Sequence, residues 1–170
     1  CEPMPKTITH NRIHQSLCRW CFEKIHLETL AKAAAEIGYA GIDLVEPADF
    51  PILKKYNLVG TMTPSHTLVK GLNNPAYHAQ CLASIRESID ATAAAGFPNV
   101  ICFSGNREGH LPDAAGITHT AEALQQIAAY AEQKKITICI ELLNSKVDHP
   151  EYMCDRSDWG AAVIRRVGGG

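Results

Sequence analysis

The stretch DATAAAGFPNVICFSGN, residues 90–106, decides the fold. An alanine-rich helical end runs into Gly96, and an apolar run through Val100 and Ile101 follows at once. Glycine suits the left-handed residue that closes a helix, so the turn is tight and the next element is a strand. The same order recurs in AKAAAEIGYAGIDLVEP, residues 31–47, with Gly38 in the capping place. It recurs again in AAYAEQKKITICIELLN, residues 128–144, where Lys134 and Lys135 take the turn and the cap is weaker. Helix, tight turn and buried strand repeated in this way mean βαβ units around a parallel sheet.

Working outward, strands are expected over residues 13–18, 41–45, 58–62, 99–103 and 136–142. Apolar residues at helical spacing fill the segments between them: Leu27, Leu30, Ala31, Ala34 and Ile37; Leu82, Ile85, Ile89 and Ala93; Leu124, Ile127, Ala128 and Ala131. Asn74 before Pro75 is a helix start, and Ser157 ahead of Trp159, Val163 and Val167 predicts a capped last helix. Right-handed crossovers leave an open doubly wound sheet or a (βα) barrel. No GxGxxG or phosphate loop follows the first strand, which weakens the nucleotide-binding open sheet. Polar residues instead collect just after several strands: Arg19 and Trp20, Glu46, Ser65 and His66, Ser104 with Asn106 and Arg107, then Glu141 and Asn144. Polar groups at the C-terminal ends of many strands are what a barrel active site requires.

The totals bound the partners. With 170 residues, the chain is long enough for one domain, residues 1–170, with a real core. A net charge of −2 gives no general electrostatic grip on nucleic acid or an anionic membrane, and no apolar run is long enough to span a bilayer. Seven cysteines is an odd number, and Cys81, Cys102 and Cys139 sit in apolar patterns where a thiol acts as a small hydrophobe. That points to a reducing compartment, the cytoplasm, rather than a disulfide framework. Cys1 is also what a processed lipoprotein presents, or where a fragment begins, and the sequence does not separate these. Cys18 and Cys21 form a CxxC, CRWC, with no second pair at zinc spacing; strand-end packing is the plain reading, zinc or redox use the other.

One residue asks for a function. Ile136, Ile138, Ile140, Leu142 and Leu143 read as a buried strand, yet Glu141 lies near its end, with Asn144, Lys146, Asp148 and His149 following. A buried charge is costly unless paired or bound to a metal. Either the strand ends there and the carboxylate meets water, or Glu141 has a task.

QSLCRWCFEKI, GYAGIDLVEP, PNVICFSGNR and IELLNSKVDHPEYMCD together resemble the hydroxypyruvate isomerase branch of the xylose isomerase-like TIM barrels, over about residues 11–167. The CFSGNR and ELLNSKVDHP blocks carry most of the specificity. The resemblance implies an α/β (βα)8 TIM barrel, of which about five βα units lie in this chain. It also implies a divalent metal, Mg2+ or Mn2+, held at the mouth by two glutamates, an aspartate and a His or Gln. Glu141 matches the first glutamate, as metal ligand and acid/base group. The implied substrate is a small hydroxy-carbonyl compound, and the implied reaction is isomerisation of hydroxypyruvate to tartronate semialdehyde. A hard cation would polarise the carbonyl while carboxylates move the proton between adjacent carbons.

The chain departs from that family in length. A full barrel takes about 250 residues, and the later strands with the other three ligands are absent. A truncated piece of a longer protein is the favoured expectation. Association of copies into a homo-oligomer, or an inactive half barrel acting as a binding or structural fragment, are the others.

The remaining candidates each have a plainer reading. Arg107 could clamp a substrate carboxylate with its planar fork, or pair with a neighbouring helix. His66 could bind substrate or simply be a solvated loop residue. Asn144 could orient Glu141 or bind substrate oxygens, and His149 could line the mouth or only fix its loop. Trp20 could wall off the substrate or pack at the rim. His10, His14, His26, His78, His110 and His119 show no ligand spacing and read as structural or solvated. A sugar epimerase or dehydratase of the same fold is the rival enzyme. A metal-dependent DNA repair nuclease would want more histidine ligands and a basic groove, which the charge opposes.

Overall fold

In the computed structural model, which describes residues 13–168, strands and helices alternate: β1 (Ser16–Cys18), α1 (Leu27–Ile37), β2 (Gly41–Asp43), α2 (Phe50–Lys55), β3 (Val59–Met62), α3 (His78–Ala95), β4 (Asn99–Cys102), α4 (Asp113–Lys134), β5 (Thr137–Ile140) and α5 (Ser157–Val167). The expectations about Cys1 and His10 lie outside the described residues. The helix ends follow the capping argument. Gly38 closes α1 at φ 104° and Gly96 closes α3 at φ 73°, while Lys135 takes the same left-handed place after α4 at φ 59°. Asn74 accepts the Ala76 N–H at 3.0 Å, so the start signal at Asn74-Pro75 is real, although a 3-10 turn over Pro75–Tyr77 precedes the α-helix.

The strands are shorter than expected. Leu44 turns out of the sheet at φ 57°, so β2 stops at Asp43 rather than at residue 45. Residues 13–15 are exposed and do not join β1, and Glu141 and Leu142 lie past the end of β5. Ser157 is not the cap of α5 but its first residue. Arg156 precedes the helix in extended conformation, and the Asp158 carboxylate accepts the Trp159 N–H at 2.9 Å.

All strand pairs are parallel and follow chain order: β1 on β2, β2 on β3, and β4 on β5. A bridge at Thr63 joins the two groups, the Thr63 N–H donating to Asn99 and the Ile101 N–H donating back to Thr63, each at 2.9 Å. An open doubly wound sheet reverses its strand order at a switch point. The unbroken order β1 to β5 is an arc of a barrel wall. Among the described strands, β1 and β5 pair on one side only.

Helices cover the outside of the arc. Leu30, Ala31 and Ala34 of α1 bury against Ile42, Leu53 and Leu58, and Phe97 meets Phe50 edge-on at 4.9 Å. A larger cluster joins Ile85 and Ile89 of α3, Val100 and Cys102 of β4, Ile127 of α4, and Trp159 and Val163 of α5. Burying a large apolar side chain contributes about 1.5–3 kcal/mol, so these clusters fix the wall whose ends carry the polar residues. Among the described residues no helix is long and apolar enough to cross a membrane.

Candidate active site

Glu141 is delivered by the ladder. Its N–H donates to Cys102 at 3.1 Å, one step beyond the β4–β5 pairing, so the residue sits at the C-terminal end of β5. Its carbonyl accepts the Tyr152 hydroxyl at 2.9 Å, and that hydroxyl accepts the Ser104 N–H at 3.1 Å. One fully buried phenol therefore ties the end of β4 to the end of β5. The backbone of Glu141 is thus held on both sides. Its carboxylate is half-buried, and no described residue donates a hydrogen bond or forms an ion pair with it. Burial pushes its pKa above the usual carboxylate value, and the charge of His149 pulls partly back.

His149 therefore lies near Glu141, half-buried, with its N–H donated to Asn144 at 2.9 Å. Asn144 is exposed and works within its loop: its side-chain oxygen accepts the Lys146 N–H at 2.9 Å, and its amide donates to Asp148 at 3.4 Å. Trp20 follows β1 on a 3-10 turn, Arg19–Phe22, and is 64% exposed, so it stands at the rim and is not core packing.

Two expected substrate contacts turn inward. Arg107 donates through Nε to Asp113 at 3.2 Å, through Nη1 to the Tyr152 carbonyl at 2.7 Å, and through Nη2 to the Met153 carbonyl and Asp155, both at 3.4 Å. This departs from the carboxylate clamp. The planar fork is spent on the loop between β5 and α5, which Arg107 fastens to the start of α4. Asp155 also accepts the Ser145 hydroxyl at 2.7 Å. Burial pushes the Asp155 carboxyl up, but the Ser145 hydroxyl and the Arg107 charge outweigh it and hold its pKa below the usual range.

His66 is likewise not a solvated loop residue. It is buried, its Nδ1 lies 3.0 Å from the Thr67 carbonyl, and its Nε2 takes the Phe103 N–H at 3.2 Å. Since Nε2 accepts, Nδ1 carries the proton and donates to the carbonyl. Burial pushes its pKa down, so the ring is neutral at neutral pH and braces the ends of β3 and β4, edge-on to Phe103. His78 and His119 hold the Leu72 and Asn73 carbonyls at 2.9 Å, the structural use expected for them.

Sequence reading missed three contributors. Tyr152 carries no local signal in the sequence, since it lies in the β5–α5 loop twelve residues past the end of β5. Asp43 was read as part of a strand, yet it accepts the Ser16 hydroxyl at 2.7 Å and the Thr61 hydroxyl on the same oxygen, a polar layer across β1, β2 and β3. Gly105, at φ 92°, passes so close to Gly71 that a Cβ would lie 2.6 Å from the Gly71 nitrogen and the Asn73 side-chain oxygen. The β3–α3 and β4–α4 loops cross there. Burial pushes the Cys18 thiol up, a hydrogen bond with the Trp20 backbone pulls partly back, and the charges of Cys21, Asp43 and Glu141 add smaller upward pushes.

Chemically, Glu141 offers a hard-oxygen donor over a braced floor. Among the described residues no three His, Cys, Asp or Glu side chains converge as a metal-ligand group.

The xylose isomerase-like TIM barrel family model matches residues 31–169. By sequence, the chain matches no curated protein. Among solved structures it is similar to an AP endonuclease, family 2, from Brucella melitensis, at 18% identity and TM-score 0.78 over 91% of this chain and 65% of that one. It is similar to the IOLI protein with a binding zinc atom, at 10% identity and TM-score 0.75 over 92% and 60%. It is also similar to D-psicose 3-epimerase with D-tagatose from Clostridium cellulolyticum H10, at 11% identity and TM-score 0.72 over 91% and 60%. The chain thus spans 60–65% of the length of these structures.

Proposed function

The chain belongs to the xylose isomerase-like TIM barrel family, and from that premise we propose that it supplies one carboxylate arm of a divalent-metal site that moves a proton between adjacent carbons of a small hydroxy-carbonyl compound. The carrying observation is Glu141: a half-buried carboxylate at a strand end, its backbone fixed by Cys102 and Tyr152, with no described donor on its side chain. That donor fits a hard cation such as Mg2+ or Mn2+, which takes carboxylate oxygen. Glu141 is the residue of this chain that would hold the ion, with further ligands supplied from beyond its described residues. When bound, the metal polarises the substrate carbonyl and so acidifies the neighbouring C–H.

The residues of this chain then have distinct tasks. Glu141 accepts or returns the proton, and burial holds its pKa above the usual carboxylate value. His149 tempers that rise. Trp20 walls the rim. Tyr152, His66 and Arg107 act on the backbone, holding the ends of β3, β4 and β5 and the loop that follows.

The first substrate reading is hydroxypyruvate going to tartronate semialdehyde. It rests on the blocks ELLNSKVDHP and CFSGNR. The second is epimerisation of a ketose beside its carbonyl, favoured by the similarity to solved D-psicose and L-ribulose 3-epimerases. The test is solvent exchange. The protein carrying this chain, with Mn2+, is incubated in deuterated water with hydroxypyruvate and with a set of ketoses, and C–H loss and product are read by NMR. Exchange at the carbon next to the carbonyl, lost in Glu141→Gln, supports the reading, and the product separates isomerase from epimerase. No exchange with any of them, together with an unchanged Glu141→Gln profile, would leave a binding or structural fragment instead.

A further inference from the structure

The CRWC motif is unused by the proposed chemistry, and its geometry is specific. Cys18 is the last residue of β1, extended at φ −88° and ψ 126°, and directly flanks the 3-10 turn Arg19–Phe22. Cys21 is the third residue of that turn. An i to i+3 turn holds its end Cα atoms within about 7 Å, and disulfides span Cα separations of about 4.4–6.8 Å. The turn is braced further by Arg19, whose Nη1 donates to the Phe22 carbonyl at 2.6 Å. Cys21 is exposed and Cys18 half-buried, whereas Cys81, Cys102 and Cys154 are buried. An exposed thiol is paired in one turn with a sheltered one that feels its charge.

We propose that Cys18 and Cys21 form a reversible disulfide at the barrel mouth by exchange with a low-molecular-weight disulfide such as oxidised glutathione. Cys21, as thiolate, attacks one glutathione sulfur; the glutathione S–S bond breaks, a glutathione thiolate leaves, and a mixed disulfide forms on Cys21. Cys18 gives its proton to solvent and attacks the Cys21 sulfur, releasing the second glutathione thiolate. Two cysteine thiols are oxidised and one glutathione disulfide is reduced to two thiols. The covalent bond locks the turn that carries Trp20, so the rim of the mouth becomes sensitive to redox state. The disulfide itself does not depend on Glu141 binding a metal.

The folded wild-type chain is equilibrated in a glutathione redox buffer, trapped with an alkylating reagent, and cut by trypsin without reduction. Trypsin cleaves after Arg12, Arg19 and Lys24, so the two cysteines fall in separate peptides, residues 13–19 and 20–24. The expected product is those peptides linked, lacking two hydrogens and free of alkyl label, and separating on reduction. In Cys18→Ser the linked species is lost and Cys21 ends as a glutathione adduct. Alkyl label on both cysteines, a glutathione adduct persisting on wild-type Cys21, or linkage of Cys21 to another cysteine would each overturn the proposal.

Discussion

Tyr152→Phe is the sharpest perturbation of the floor under Glu141. The ring stays and only the hydroxyl goes. In the wild type that oxygen accepts the Ser104 N–H at 3.1 Å and donates to the Glu141 carbonyl at 2.9 Å, and both Tyr152 and Ser104 are fully buried. Without it, the Ser104 amide is left unpaired in the interior, which costs about 1–3 kcal/mol, and the lost bond to the half-buried Glu141 carbonyl adds about 0.5–1.5 kcal/mol. The sum is about 1.5–4.5 kcal/mol, or a melting temperature lower by about 3–18 °C for a chain of this size. Urea unfolding followed by the fluorescence of buried Trp159 measures it, and hydrogen exchange at the Ser104 and Glu141 amides locates it. The loss should come as a shifted midpoint with an unchanged slope, and exchange should quicken at the ends of β4 and β5 before the helices. A loss below about 0.5 kcal/mol would mean that the hydroxyl does not bridge the strands.

Other perturbations separate the remaining parts. The Asp155 carboxyl has a folded pKa below its unfolded one, so its stabilisation is present above the ordinary aspartate value and is lost as pH falls through the folded value. Asp155→Asn should therefore be less stable than wild type near neutral pH, with the gap closing in acid, as read by unfolding at a series of pH values. Gly105→Ala should cost at least about 2 kcal/mol in the same assay, because the new methyl meets the Gly71 nitrogen and Asn73 at φ 92°. Thr120→Val should be neutral or stabilising by up to about 1 kcal/mol, since the buried Thr120 hydroxyl has no partner among the described residues.

Much of the wall was legible because it is written in local signals. Glycine caps at Gly38 and Gly96, alanine-rich helix ends and β-branched strands each act within a few residues, and their repetition forces parallel order. Strand ends were overextended, since apolar pattern continues past the point where the neighbouring backbone stops, as at Leu44 and Leu142. Glu141 was legible because a charge at the end of an apolar run is costly without a purpose. Arg107 and His66 were not, because polar residues at a strand end look alike whether they face a ligand or a backbone carbonyl. What decides is which groups from elsewhere in the fold come within reach, the 152–155 loop for Arg107 and the Phe103 N–H for His66, and spacing along the chain holds no record of that. Tyr152 was missed for the same reason: its two partners are 48 and 11 residues away.

The most direct measurement is paramagnetic broadening by Mn2+ in NMR spectra of the chain, which reads weak binding and needs no turnover. If Glu141 is the arm that holds the ion, broadening centres on its side chain and reaches His149, and Glu141→Gln removes it while the spectrum keeps its fold. Broadening centred on Asp148 or Asp113, or unchanged in Glu141→Gln, would mean that the carboxylate at the end of β5 does not grip a cation.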